Sequence, residues 1–111
     1  MAYDELLAVR IRAALSGQSG LKEVKMFGGI GILLNGNLVC GVNKDDLIVR
    51  VGPEKHAEAL ARPYAHTFDL TGRPMNGWVS VAGPGCATEQ DLQDWLRLGL
   101  DFASTLPPKK K

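Results

Sequence analysis

A chain of 111 residues, 45% hydrophobic and 23% charged, is long enough for one domain with its own core, and its composition is not that of a disordered, fibrous or disulfide-rich protein. Its formal net charge is +1, and taking away Lys109, Lys110 and Lys111 leaves −2, which excludes a broad basic surface of the nucleic-acid-binding kind. No apolar run reaches membrane-spanning length, and Asp4 and Glu5 stand beside Met1 where a secretory leader carries basic and then apolar residues.

With no Asn-x-Ser/Thr sequon either, these features predict a cytoplasmic protein in which Cys40 and Cys86 are reduced. The first element is a helix over Tyr3–Leu15, with Leu7, Ile11, Ala14 and Leu15 on one face. Ser16-Gly17-Gln18-Ser19-Gly20 ends it. Leu21–Phe27 alternates in part and reads as a short strand leading into glycines. Asn35-Gly36 then separates two apolar runs, Ile30–Leu34 and Leu38–Val42. That dipeptide is the strongest short hairpin signal, because both residues accept the positive φ of a type I′ turn. A period of two puts Leu38, Cys40 and Val42 on one face and Val39 and Gly41 on the other.

Leu47–Val51 is a further strand, rich in β-branched residues. Gly52-Pro53 opens a helix that runs to about Arg62, before Pro63. Thr67–Leu70 and Trp78–Val81 read as strands around a turn at Thr71-Gly72-Arg73-Pro74. Gly83-Pro84-Gly85 breaks the chain again, and Thr88 caps a last helix over Glu89–Ser104. In that helix Leu92, Trp95, Leu96, Gly99, Phe102 and Ala103 form one apolar arc. Leu98 and Leu100 widen the arc beyond what covering a sheet requires, so a homodimer through these two leucines is one expectation. Strands and helices do not alternate as βαβ units do. The fold class is therefore α+β, a two-layer antiparallel sheet with helices on one face. Residues 1–106 form one domain, and 107–111 read as a disordered Pro/Lys tail.

Chemistry-bearing patterns are sparse. Gly28-Gly29-Ile30-Gly31 is not a phosphate loop: Leu34 stands where a third glycine belongs, and a strand rather than a helix follows. His56 and His66 lack the partners of a metal site, so no metal and no cofactor are assigned. No catalytic residue is assigned either. Cys86 precedes a helix start, a position that lowers a thiol's pKa, and a pocket near Arg73, His66 and Cys86 is the alternative reading, for a small enzyme or ligand-binding protein. Arg73, Met75 and Trp78 enter a strand together and make the candidate interaction surface, since arginine and tryptophan are enriched at interface hot spots.

Met26-Phe27-Gly28-Gly29, then Gly31, then Asn35-Gly36 before a strand, then Arg73-x-Met75-x-x-Trp78 before another, resemble the TfoX N-terminal domain family. The resemblance covers most of the chain and implies the order helix, three strands, helix, two strands, helix, with Leu21–Phe27 as an additional strand. In the Sxy/TfoX competence regulators this domain is followed by a second, helical one. The resemblance brings no catalytic residues, and Met26, Phe27, Gly28, Gly29 and Gly31 match its motif in a structural role. The chain thus reads as a bacterial, non-catalytic protein-interaction module in transcriptional regulation. It has an unidentified protein partner, no membrane association and no direct DNA binding.

Overall fold

The computed structural model describes residues 5–26, 29–69 and 74–107. The helix α1 (Glu5–Ala14) comes first, followed by β1 (Leu21–Met26), β2 (Gly29–Leu34), β3 (Asn37–Asn43) and β4 (Asp46–Arg50). Then come α2 (His56–Leu60), β5 (Ala65–Asp69), β6 (Pro74–Val81) and α3 (Glu89–Ser104). Short 3-10 turns at Pro53–Lys55 and Gly83–Cys86 precede α2 and α3. The strands form one open antiparallel sheet in the order β1-β2-β3-β4-β6-β5. The fold is α+β, in the order helix, strands, helix, strands, helix that the sequence predicts. Leu21–Met26 is a full member of the sheet, so four strands rather than three precede α2.

A single buried apolar cluster unites the two layers. Leu7, Ala8 and Ile11 come from α1, Ala59 from α2, and Leu92, Trp95, Leu96 and Ala103 from α3. The sheet contributes Ile30, Ile32, Cys40, Val42, Leu47, Val49, Val79 and Val81. This burial is the main force holding helices to sheet, at roughly 25 cal/mol for each Å² of apolar surface removed from water. Arg12 adds a two-pronged bond to the Glu23 carboxylate, 2.7 and 2.8 Å, which clips α1 to β1 and holds the Glu23 pKa below its ordinary value. Arg10 ties α1 to the start of α3 through Glu89 and the carbonyl of Ala87.

The β2–β3 hairpin turns at Asn35 and Gly36, with φ of 51° and 88°, the signs a type I′ turn requires. One expectation for β3 fails. The ladder pairs Ile32 with Cys40 and Leu33 with Leu38, so Val39 is an extra residue. The resulting bulge puts Val39 and Cys40 together in the core cluster and leaves Leu38 out of it, which strict alternation cannot do. The expected Gly52–Arg62 helix is shorter as well: a 3-10 turn takes its first residues, and only His56–Leu60 is α-helical. Pro63 disfavours helical backbone at Arg62, and Tyr64 lies at φ 66°.

The last helix has the predicted limits, and its cap is Thr88, whose hydroxyl accepts from the Asp91 amide at 3.0 Å. Leu98 and Leu100 are half-buried and pack against the core cluster. Asn37 Nδ2 donates to the carbonyl of Pro107 at 2.9 Å, which anchors the chain just beyond α3. Residues 108–111 lie outside the described residues. Among the described residues no helix is long and apolar enough to cross a membrane.

Candidate functional site

In β4, Leu47 and Val49 point into the core cluster, and Val51 joins them just past its end. Arg50 stands between Val49 and Val51 and faces away, in register with Trp78 of β6. The chain turns at Gly52, with φ +87°. Both Val51 and Gly52 amides donate to the carbonyl of Gly77, at 2.8 and 3.1 Å, so the end of β4 is locked onto β6. From α3, Phe102 lies against this turn: a Cβ on Gly52 would fall 2.4 Å from the ring. Only glycine meets both conditions, a left-handed φ and an aromatic ring in the space a side chain needs.

These constraints bring two aromatic rings to one cation, and a third ring stacks on one of the two. The Arg50 guanidinium carbon lies 5.7 Å from the Trp78 ring centroid and 5.2 Å from that of Phe102. Phe68 stacks on Trp78 with centroids 5.9 Å apart and 24° between the planes. Arg50 and Trp78 are half-buried, and Phe68 is buried. Cation–π contacts of this kind are worth about 0.5–1 kcal/mol at exposed sites and more when desolvated. Beside Phe102 opens a cleft of about 430 Å³. Its apolar walls are Val51, Pro53, Leu98 and Phe102, and Glu54, Lys55 and Asp101 add charge. A wider cleft of about 720 Å³ separates the end of α1 from α3, between Leu15, Leu34, Leu96 and Leu100. It contains no part of the arginine–aromatic cluster.

Of the sequence-predicted interaction residues, Trp78 belongs to this cluster. Arg73 and the side chain of Met75 lie outside the described residues. The proposed meeting of His66 and Cys86 does not occur. Ala65 packs against the core cluster, so its neighbour His66 faces the opposite side of the sheet, where it is exposed opposite Ser80. Cys86 is buried within the cluster, and its thiol donates to the carbonyl of Gly83 at 3.6 Å. Among the described residues there is no group of three or more His, Cys, Asp or Glu placed to hold a metal ion. Arg50, Phe68 and Phe102 were not among the predicted site residues. A lone arginine in the apolar run Leu47–Val51 was the available signal, but its pairing with Trp78 depends on register.

Comparison with protein-family models matches residues 13–103 to the TfoX N-terminal domain, from the end of α1 to the last turn of α3. The chain belongs to the TfoX N-terminal domain family. No curated protein matches it. In this TfoX N-terminal domain the Met26–Gly29 motif spans the connection between β1 and β2, and Met26 and Gly29 are register partners. Phe27 and Gly28 lie outside the described residues. A Cβ on Gly29 would fall 1.9 Å from the carbonyl oxygen of Val42. Gly31 pairs with Val24 on one side and with Gly41 on the other.

The TfoX N-terminal domain also carries a titratable group in its core. Burial pushes the Cys40 thiol up to about 12. The unfolded chain then loses this proton near pH 9 while the folded one keeps it, so the unfolded state binds fewer protons and stability falls as pH rises from about 9 towards 12. The expected slope from this one group approaches about 1.4 kcal/mol per pH unit. Urea unfolding of wild type and Cys40→Val between pH 8 and 10.5 isolates it, because other titrations are common to both. Parallel curves for the two proteins would remove Cys40 as the cause.

Proposed function

We propose that this TfoX N-terminal domain is a non-catalytic protein-interaction module of a transcriptional regulator, and that its contact surface is centred on Arg50, Trp78 and Phe102. The observation that carries this reading is the cluster itself. A guanidinium held near two rings, beside an apolar cleft, has the make-up of an interface hot spot, where arginine and tryptophan supply most of the energy. Family membership supports the regulatory setting. The near-neutral charge of the chain favours a protein partner over DNA, whose binding rests on many phosphate contacts. From the sequence motif alone, Arg73 and Met75 are proposed as further contact residues. The half-buried Leu98 joins the surface through the cleft wall.

The test uses the full chain immobilised as wild type and as Arg50→Ala, exposed to lysate of the source organism, with retained proteins identified by mass spectrometry. A protein retained by wild type, lost with Arg50→Ala and bound directly when purified is the expected result. The variant should keep the wild-type circular dichroism, since the loss of two cation–π contacts of about 0.5–1 kcal/mol each is small against a total stability of about 5–15 kcal/mol. Identical retained sets for the two proteins would count against this surface.

A further inference from the structure

Arg50 differs from the other arginines of the sheet and helices. Arg10 and Arg12 donate to Glu89, to the carbonyl of Ala87 and to Glu23. Arg62 lies over Trp95, 5.0 Å from the ring centroid, but is exposed to solvent, and Arg97 of α3 is exposed as well. Arg50 is half-buried, and among the described residues no carboxylate, carbonyl or hydroxyl accepts a hydrogen bond from it. Its contacts are ring faces. These stabilise the charge and restrain the side chain, but a ring face satisfies an N–H donor far less well than an oxygen acceptor does. Half-burial removes part of the water that would otherwise satisfy those donors, so an acceptor from outside is worth more here than at a free surface arginine. The restraint also lowers the rotamer entropy lost on binding.

We propose that Arg50 is the receptor for a carboxylate, and that the ligand is an acidic peptide segment in which a Glu or Asp side chain pairs with Arg50 while a neighbouring apolar side chain enters the cleft beside Phe102. The inference rests on the interaction-module reading and adds the partner's chemistry. The guanidinium fork matches a carboxylate bidentately. Phe102 joins the two halves of the site, because its ring lies near Arg50 and also forms a cleft wall. The cleft is lined on its other sides by Val51, Pro53 and Leu98, which suit an aliphatic or aromatic side chain. Glu54 and Asp101 decide between carboxylate and nucleic-acid phosphate. One carboxylate is matched by Arg50, and Lys55 in the cleft offsets one of the acids, whereas a polyphosphate backbone would bring further negative charge against both.

The experiment follows the Arg50 Nε–H signal and the Trp78 indole signal by 15N NMR in the full chain, assigned by their loss in Arg50→Lys and Trp78→Phe. Four probes are titrated: the capped tetrapeptide Ac-Ser-Glu-Leu-Ser-NH2, its Gln counterpart Ac-Ser-Gln-Leu-Ser-NH2, inorganic phosphate, and a single-stranded decadeoxynucleotide. The Glu peptide is expected to shift both signals in a saturable way. The Gln peptide should bind at least tenfold more weakly, and Arg50→Lys, which keeps the charge but loses the fork, should weaken the Glu peptide by a similar factor. Trp78 indole shifts and the methyl spectrum report whether Arg50→Lys stays folded. Equal binding of the Glu and Gln peptides, or no shift with any probe, overturns the carboxylate assignment. Tighter binding of phosphate or of the oligonucleotide overturns the peptide in favour of a phosphate ligand. If the peptide arm fails while Arg50-dependent capture from lysate persists, the module reading stands and only the carboxylate falls.

Discussion

Gly29→Ala is expected to cost about 3 kcal/mol or more, a large share of the stability of a domain this size. The added methyl would fall 1.9 Å from the Val42 carbonyl oxygen, and Val42 is the register partner of Ile30, the next residue along β2. A flexible side chain can swing away from such a contact, but a carbonyl in a strand paired on both sides moves only with its strand. β3 is held on its other side by β4 through Cys40–Val49 and Val42–Leu47, so its displacement would propagate across the sheet. Overpacking a core costs roughly 1–3 kcal/mol and more where backbone must shift, against a total stability of about 5–15 kcal/mol. Urea unfolding of the variant beside wild type measures the loss. A change below about 1 kcal/mol would mean that the hairpin tolerates the methyl and that the Met26–Gly29 motif is not held by this close approach.

Gly52→Ala is expected to cost about 2–4 kcal/mol and to disturb the Arg50 cluster at the same time. Two penalties add: a non-glycine residue at φ +87°, and a methyl 2.4 Å from the Phe102 ring. The ring is the part able to move, and moving it draws Phe102 away from Arg50. Gly83→Ala is the matched control, because a Cβ there meets nothing within 4 Å. Thermal unfolding of both variants gives the stability difference, and the Arg50 Nε–H chemical shift gives the displacement. Equal melting of Gly52→Ala and Gly83→Ala would show that the turn is not under this double constraint.

Local signals located most of the elements. The last helix followed from a cap at Thr88 and an apolar arc, and the central hairpin from Asn35-Gly36. Both are determined within a few residues of chain. What stayed hidden depends on neighbours across the sheet. The Val39 bulge exists because β2 and β3 shift register between Ile32 and Leu33, and no alternation rule reports it. Trp78 was singled out from its local company, Arg73 and Met75. The arginine that meets it, Arg50, is supplied by β4, through a strand pairing that the sequence does not spell out. Cys86 illustrates the opposite failure, since a position before a helix start suggested reactivity while packing placed the thiol in the core.

The order of strands has a consequence for how the molecule comes together. Four of the five ladders join strands that follow one another along the chain, and these hairpins need only short loops to close. The β4–β6 ladder is the one that passes over intervening chain, with α2 and β5 between its members. It unites a four-stranded meander with a two-stranded hairpin, and closing it carries the largest entropic cost of any pairing in the sheet. Arg50 and Trp78 are opposite one another in that same ladder. The two side chains therefore meet only when both parts of the sheet are docked. A partially folded chain can hold every hairpin intact and still present no arginine–tryptophan surface to a partner.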